Sequence, residues 1–165
     1  METKRLLLVD YTEKDMPFIK HMVTNPKMMR YIRDGRIWNK QQTQEFYDRM
    51  TSYYSRHENY GLKLILDKNS HQKIGHAGLV PQLVDGEEMI EVGYWIDEPF
   101  WGKGYASEVA AMLTEYGLVT LQLPKLVSLI QYGNKASEKI AVKNGMVKDR
   151  DFLLSTKQVY LYITK

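Results

Sequence analysis

The sequence contains no cysteine among its 165 residues. A protein without thiols has no disulfide framework, no thiolate nucleophile and no cysteine metal site. Long apolar runs are also missing, since none approaches the roughly 18 residues of a transmembrane helix. The N-terminal run Leu6–Val9 is too short for the apolar core of a signal peptide. We therefore expect a cytoplasmic protein with no membrane partner.

A large excess of one charge sign is lacking as well, because 23 basic and 20 acidic residues leave a net charge of only +3. The densest basic cluster, at 27–36, is interrupted by Met, Tyr and Gly, as is typical of a solvated helix face. We expect no nucleic-acid partner. The histidines are too dispersed to form a metal site or a Ser-His-Asp arrangement, and we expect no bound metal; they are His21, His57, His71 and His76.

The hydrophobic pattern that is present predicts one domain over 1–165, with an apolar content of 44%. Leu62, Leu64 and Leu66 alternate with the period of a half-buried strand, and Asp85-Gly86 is typical of a hairpin turn. Strands are predicted at 4–11, 62–66, 73–83, 87–96, 125–131, 146–154 and 158–164, and helices after Thr12 and at 27–32, 39–56, 105–121 and 134–144. This order indicates an α/β or α+β fold with helices on a mixed, largely antiparallel sheet.

A glycine-rich turn joins the strand that ends at Ile96 to the helix that begins at Tyr105. Gly102 and Gly104 permit a close approach of the backbone to a ligand, and the first N–H groups of a helix lack intrahelical partners. Such a turn can hold a pyrophosphate, with Lys103 adding a positive charge. An unliganded glycine turn is the alternative. It is not a dinucleotide-binding fingerprint, because Ser107 occupies the third glycine position.

A second segment runs from Gly133 to Met146 and contains Asn134-Lys135-Ala136-Ser137. Asn134 precedes a predicted helix, so its ordinary role would be that of an N-cap. Ser137 would be a residue of the first helical turn. Position alone therefore does not distinguish a ligand contact from a cap.

Together the two segments resemble the GNAT superfamily of acyl-CoA-dependent N-acetyltransferases, and within it the branch that includes ribosomal-protein N-terminal acetyltransferases. That family has a Glu-x-Gly-Tyr strand, then a Trp-Gly-x-Gly-Tyr-Ala-x-Glu loop and helix, and further on an Asn-x-x-Ser segment. This sequence supplies them at 91–108 and 134–145. Thr3–Leu6 and Asn25-Pro26 extend the similarity over nearly the whole chain.

The resemblance implies a splayed, mostly antiparallel sheet of six or seven strands flanked by about four helices, with acetyl-CoA as the cosubstrate. Its pantetheine would lie between the strand ending at Ile96 and the strand at 125–131, with the pyrophosphate on the amides of the glycine turn. The residues implied to bind it are Tyr94, Trp95, Ile96, Gly102, Lys103, Gly104, Tyr105, Ala106, Ser107, Asn134 and Lys139.

Acetyl transfer to an amine requires a deprotonated amine, a stabilised oxyanion and a protonated leaving thiolate. Glu91 is the candidate base or water-orienting group, although it could be one more acid of its strand. A strand bulge near Trp95 or Ile96 would supply the oxyanion donor. Many family members place a tyrosine where this chain has Ala141, so Ser137 is the candidate proton donor, with Tyr132 or water as alternatives.

The amine acceptor is expected between the first helices and the last hairpin, with Tyr31 and Trp38 as substrate-binding residues. Aromatic walls would suit a cationic amine, whereas Arg33 and Arg36 would suit an acidic protein tail. A protein N-terminus and a small-molecule amine both remain open. The alternative function is a CoA-binding sensor without turnover, and the oligomeric state is expected to be a monomer or a weak homodimer.

Overall fold

The computed structural model describes residues 1–165 and contains one seven-stranded sheet in the order β1-β2-β3-β4-β5-β7-β6. The strands are β1 (Leu6–Val9), β2 (Gly61–Asp67), β3 (Lys73–Val84), β4 (Glu87–Ile96), β5 (Val127–Gln131), β6 (Met146–Leu154) and β7 (Lys157–Thr164). The helices are α1 (Met16–Val23), α2 (Pro26–Met29), α3 (Lys40–Arg56), α4 (Tyr105–Glu115) and α5 (Lys135–Lys143). The predicted mixed sheet is confirmed. The structure has five helices where the resemblance implied about four, and the shortest of them is the single turn α2.

The sheet is antiparallel except between β4 and β5, which are parallel and share one residue pair, Glu91 with Val127. Beyond that pair β4 stays with β3 as far as Ile96, while β5 stays with β7 as far as Gln131. The two halves of the sheet therefore separate toward the C-terminal ends of β4 and β5. This is the splay that the sequence was expected to produce.

Two apolar cores cover the two faces of the sheet. On one face α4 and α5 pack over strand residues such as Ile65 and Leu79, and on the other α1 and α3 pack over neighbours such as Leu64 and Val80. Adjacent strand residues point to opposite faces. The expectation of a half-buried strand at 62–66 is therefore wrong, because helices cover both faces of β2, and even Lys63 is only 6% exposed.

Local sequence chemistry explains the long helix α3. Asn39 Oδ1 accepts a hydrogen bond from the Gln42 N–H at 2.9 Å, and Gln42 Oε1 accepts one from the Asn39 N–H at 3.0 Å. This reciprocal capping box satisfies two amides at the helix start. Phe46 and Met50, four residues apart, then bury one face of the helix against the sheet.

The predicted helix over 105–121 changes character at its end. Helix α4 ends at Glu115, and the chain continues as a π-helical turn over Tyr116–Thr120. Gly117 lies in this turn against Leu126, where a Cβ atom would come within 2.8 Å of a leucine methyl group. The missing side chain thus lets the turn pack onto the segment that enters β5.

None of the helices combines the length and the apolarity that a membrane crossing would require.

Candidate active site

The main cavity, of about 810 Å³, lies where β4 and β5 separate. Its walls come from the end of β4, the glycine turn, the first turns of α4 and α5, and the chain around α2. Twelve of its 19 lining residues are hydrophobic, so most of its length suits an apolar or amide-containing arm. The sequence-predicted residues that line it are Tyr31, Tyr94, Trp95, Ile96, Gly102, Gly104, Tyr105, Ala106, Ser107, Asn134 and Ser137.

The glycine turn adopts the conformation that its sequence predicts. Gly102 has φ +74° and Gly104 has φ +79°, and Gly104 is the N-cap residue of α4. Both values lie in the left-handed region that favours glycine. The Trp101 indole N–H donates to the Ile96 carbonyl at 2.5 Å and ties the turn to the end of β4. The positive end of α4 thereby faces the cavity.

Arg5, the residue before β1, braces this turn, a role that sequence reasoning missed. Its Nε donates to Glu108 Oε2 at 2.6 Å, and its Nη1 donates to the Lys103 carbonyl at 3.0 Å. The guanidinium also lies 4.3 Å from the centre of the Tyr105 ring. The Thr3–Leu6 similarity marked this segment but gave no contact, because the bond spans about a hundred residues of sequence.

Asn134 combines the two roles that its position allowed. Its side-chain oxygen accepts a hydrogen bond from the Ser137 N–H at 3.2 Å, which makes it the N-cap of α5. It also lines the main cavity and a second, smaller one. The cap fixes the orientation of the side chain at the point where the two cavities meet.

The smaller cavity has a volume of about 150 Å³ and shares a wall with the main cavity. The residues common to both are Tyr31, Ile32, Tyr94, Trp95, Asn134 and Ser137. Tyr31 also donates its hydroxyl to the Gly133 carbonyl at 3.1 Å, which links the chain after α2 to the loop before α5. The expected placement of Tyr31 at a substrate cavity is thus geometrically possible.

Glu91 lines the smaller cavity, with its carboxylate held by neighbouring donors. Gln82 Nε2 donates to one oxygen at 2.6 Å, and the Leu129 N–H donates to the other at 3.3 Å. Burial raises the pKa of Glu91 above the ordinary value for a glutamate, and these two donors together with Arg49 offset part of the shift. A raised pKa brings a carboxylate closer to the range useful for proton transfer.

Tyr94 lies between Glu91 and Ser137 at the junction of the cavities. Burial raises the pKa of its phenol to about 12, with Glu91 adding to the shift and the Ser137 hydroxyl opposing it. The phenol therefore stays protonated at physiological pH. Together Tyr94 and Ser137 offer hydroxyl groups at one point of the main cavity.

The other candidate proton donors lie elsewhere. The ring of Tyr132 stacks on Tyr160 at a centroid distance of 4.2 Å, and neither residue lines the main cavity or the smaller one. Ala141 is 2% exposed and belongs to the core beneath α5. Of the side chains proposed for protonation of the thiolate, Ser137 is the one that the fold brings to the cavity.

Three predicted binding residues line neither the main cavity nor the smaller one. Lys139 is exposed on α5, and the Lys103 ammonium lies 5.0 Å from the centre of the Phe100 ring. Trp38 is 4% exposed and packs against Phe46 and Trp95 in the core. Trp38 therefore supports the wall residue Trp95 from behind.

The expectation of a bulge near Trp95 or Ile96 is wrong. The pairing of β4 with β3 runs without a register shift from Glu87 to Ile96, whereas the irregularity in this half of the sheet lies between β2 and β3, where Ile65 pairs with Gly75 and Leu66 with Lys73. Continuous pairing with β3 holds β4 in regular extended form. Any main-chain oxyanion donor must therefore come from the regular strand edge that the splay exposes.

The structure contains no group of three or more His, Asp or Glu side chains that could hold a metal ion.

Comparison with known proteins places the chain in a family context. A family model described as "Acetyltransferase (GNAT) domain" matches residues 5–147. The uncharacterised protein YkkB of Bacillus subtilis is 31% identical over 167 aligned positions, covering 99% of this chain and 94% of that protein. The crystal structure of an acetyltransferase from Agrobacterium tumefaciens superposes with a TM-score of 0.85 at 24% identity, covering 100% of this chain and 93% of the other.

Two further similar structures contain CoA. One is RimL, a ribosomal L7/L12 alpha-N-protein acetyltransferase, with a TM-score of 0.78 at 18% identity and coverage of 98% and 94%. The other is spermidine N-acetyltransferase from Vibrio cholerae, with CoA and spermine, at a TM-score of 0.71, 18% identity and coverage of 96% and 94%. At these identities the likeness concerns the fold.

Proposed function

The chain belongs to the GNAT family of acetyltransferases, and from this premise we propose that it transfers an acetyl group from acetyl-CoA to a primary amine by direct attack in a ternary complex. The observation that carries the proposal is the junction of two cavities. The main cavity meets the smaller cavity at Tyr94, Trp95 and Ser137, and the smaller cavity contains the Glu91 carboxylate.

The residues of the main cavity fit acetyl-CoA. The first amides of α4, preceded by two glycines with positive φ, suit the pyrophosphate. The edge of β4 beyond Glu91 has no strand partner on the β5 side, so its backbone groups can pair with the amides of an extended arm. Lys103 and Lys139 would act at longer range, from the rim. When bound, acetyl-CoA supplies an activated thioester.

The residues of this chain then perform the proton transfers. Glu91, with its raised pKa, accepts a proton from the substrate ammonium directly or through a water and so leaves a neutral amine that can attack. Ser137, beside the protonated Tyr94, donates toward the departing sulfur. No cysteine is present, and no histidine lines either cavity. Direct attack without an acyl-enzyme is the mechanism that these groups support.

The acceptor class includes protein N-terminal amines and small-molecule amines. The resemblance to the ribosomal-protein branch favours the first, and the fold similarity to RimL and to a spermidine N-acetyltransferase is compatible with either class. Tyr31 would contact the acceptor where the cavities meet.

Acetyl-CoA turnover tests the proposal. We would measure release of free thiol with peptides of varied N-termini, polyamines and aminocyclitols, and identify the acetylated amine by mass spectrometry. Glu91→Gln is the matched low-activity control, because it preserves the size of the side chain and removes its titratable carboxyl. Amine-stimulated thiol release that requires Glu91 supports the enzyme. Tight CoA binding by calorimetry with no transfer to any amine supports the sensor instead.

Three expectations from the sequence complete the proposal. They are a single domain over 1–165, a cytoplasmic location, and a monomer or weak homodimer. Limited proteolysis, cell fractionation and sedimentation velocity would test them in turn.

A further inference from the structure

We propose that the acceptor is an anionic amine, with a carboxylate within a few bonds of its amino group, and that Arg49 binds that carboxylate. The inference rests on the proposed function and specifies its substrate class. It is carried by the charges that line the smaller cavity. Arg49 on α3 and Glu91 on β4 are the two charged residues among its 19 lining residues.

Arg49 has no acidic partner within salt-bridge distance. Arg30 and Arg33 are unpaired as well, whereas the remaining arginines are paired: Arg5 with Glu108 at 2.6 Å, Arg36 with Asp34 at 3.9 Å, Arg56 with Glu88 at 3.6 Å, and Arg150 with Asp85 at 2.6 Å. An arginine that lines a cavity without a carboxylate partner retains its planar set of donors for a ligand. A carboxylate can accept two of these hydrogen bonds at once.

A second arginine strengthens the positive potential beside the cavity. Arg33 lies with its guanidinium 4.8 Å from the centre of the Trp38 ring, and its carbonyl accepts a hydrogen bond from Gln131 at 2.7 Å. Desolvation and then the positive charge of Arg33 lower the pKa of Arg49, while Tyr53 and Glu91 act in the opposite direction. Two arginines near each other, with no acid paired to Arg49, favour an anion at this point.

The cavity disfavours a polycation for the same reason. Glu91 is the sole carboxylate among the lining residues and is needed near the reacting amine. The distal ammonium of a polyamine would then face Arg49 rather than an acid, and like charges repel. A cavity near 150 Å³ can hold a ligand of about six non-hydrogen atoms, the size of benzene. That is the size of one amino-acid backbone with a short side chain.

Two sources supply this chemistry. A free amino acid carries its carboxylate two bonds from the amine, whereas a peptide would carry it on an acidic side chain near its N-terminus. Both place a carboxylate beside the amine, and matched acceptors distinguish them. The free-acid arm compares L-alanine and L-serine with their α-carboxamides. The peptide arm compares N-terminal Ser-Asp and Ser-Glu peptides with their Asn and Gln counterparts.

The first measurement is kcat/KM for each pair, with spermidine as the polycation. We expect the acid to exceed its amide by at least about tenfold in one arm, the loss expected when a charge-assisted hydrogen bond is removed. The arm that shows this ratio identifies the source. Equal values for acid and amide in both arms, or spermidine as the best acceptor, would overturn the inference.

The second measurement repeats the preferred pair with Arg49→Gln. The ratio of acid to amide is expected to fall to near one, whereas the matched variant Arg56→Gln, two turns further along α3 and outside the cavity, keeps the parental ratio. Removing the Arg49 charge also raises the pKa of Glu91, but this change affects acid and amide alike and cancels in the ratio. A parental ratio in Arg49→Gln would refute the role of Arg49.

The two proposals fail in different ways. If no amine in either arm or in the wider panel is acetylated while CoA still binds, the proposed transferase activity fails and this inference fails with it. If amines are acetylated without preference for the anionic member of each pair, the transferase activity stands and the anionic-acceptor inference alone is rejected.

Discussion

At the scale of single residues, Glu91 combines a structural and a chemical role. It forms the one residue pair that joins β4 to β5, and its carboxylate lines the smaller cavity. Backbone pairing thus fixes the position of the side chain, and hydrogen bonds from Gln82 and the Leu129 N–H fix its orientation.

Replacing Glu91 by Gln is expected to lower kcat/KM by about 100-fold at neutral pH, the lower end of the range for a general base. Because burial raises the pKa of this carboxyl, the acidic limb of the parental pH–rate profile is expected above that of an ordinary glutamate. The limb should disappear in the variant, with the largest loss of rate below about pH 8. Glu88→Gln, on the same strand and outside the cavities, serves as the control. A variant profile that superposes on the parental one would exclude Glu91 as the base.

Ser137 has a hydroxyl at the junction of the cavities, where a departing sulfur would need a proton. Ser137→Ala is expected to lower kcat by about 100-fold, at the low end for general acid catalysis. Ser137→Thr retains a hydroxyl and is expected to recover most of the rate. Single-turnover measurements separate this step from product release. Full kcat in the alanine variant would indicate that water protonates the thiolate.

At the scale of elements, the glycine turn and α4 form the unit that we propose binds the pyrophosphate. Trp101 ties the turn to β4, and Arg5 ties it to β1 through Glu108 and the Lys103 carbonyl. These contacts preorganise the amides before a ligand arrives, and preorganisation lowers the ordering cost of binding.

Gly104→Asp is expected to abolish CoA binding in calorimetry. The substitution adds a side chain at φ +79° and places a negative charge at the start of α4, where the pyrophosphate would lie. Gly104→Asn is the matched control, because asparagine has nearly the same size and tolerates the left-handed region. We expect weakened binding in the asparagine variant and none in the aspartate variant. Equal affinity of Gly104→Asp and the parent would disprove the placement of the pyrophosphate.

Elements with a strong local pattern were predictable from the sequence. The helix that starts after Asn39, the hairpin at Asp85-Gly86 and the turn at Gly102 and Gly104 all have the structures that their residues favour. The burial of Lys63 and the π-helical turn at Gly117 were not predictable. Both depend on packing against segments that are distant in sequence, and no local pattern encodes such packing.

The same distinction applies to the candidate site. The glycine turn and Asn134 follow a motif, and the fold brings them to one cavity. Arg5, Arg49 and Gln82 reach the site from the segment before β1, from α3 and from β3, and of these only the segment of Arg5 is marked by the resemblance. Trp38 was expected to bind the substrate but lies behind the cavity wall, against Trp95. Aromatic character alone does not distinguish a residue of the wall from one that supports it.

At the scale of the whole molecule, a buried histidine links stability to pH. His76 is 0% exposed, its Nδ1 pairs with the Tyr11 hydroxyl at 2.8 Å, and its Nε2 has no hydrogen-bond partner. Burial lowers its pKa to about 3 from the ordinary histidine value of 6.5. The unfolded chain therefore binds one more proton than the folded chain between these two values, and stability falls as the pH drops through that window.

His76→Asn is expected to flatten the dependence of the unfolding free energy on pH between about 5 and 6.5 by up to one proton. Asparagine retains an acceptor for the Tyr11 hydroxyl but does not titrate. Glu91 acts in the opposite direction in this window, since its raised pKa favours the folded state as the pH falls, and it contributes equally to parent and variant. Urea titrations at several pH values measure the slope, with His57→Asn as the exposed control. An unchanged slope in His76→Asn would contradict the assignment.

The position of Glu91 at the last pair before the sheet divides has an evolutionary consequence. The carboxylate is anchored in backbone pairing, whereas the opposite wall of the smaller cavity comes from α3 and the chain after α2. Mutations in α3 or in the chain after α2 can change which acceptor binds, while the position of Glu91 stays the same. Among homologues with this arrangement, we expect the preference for the acceptor to change faster than the proton-transfer chemistry at Glu91.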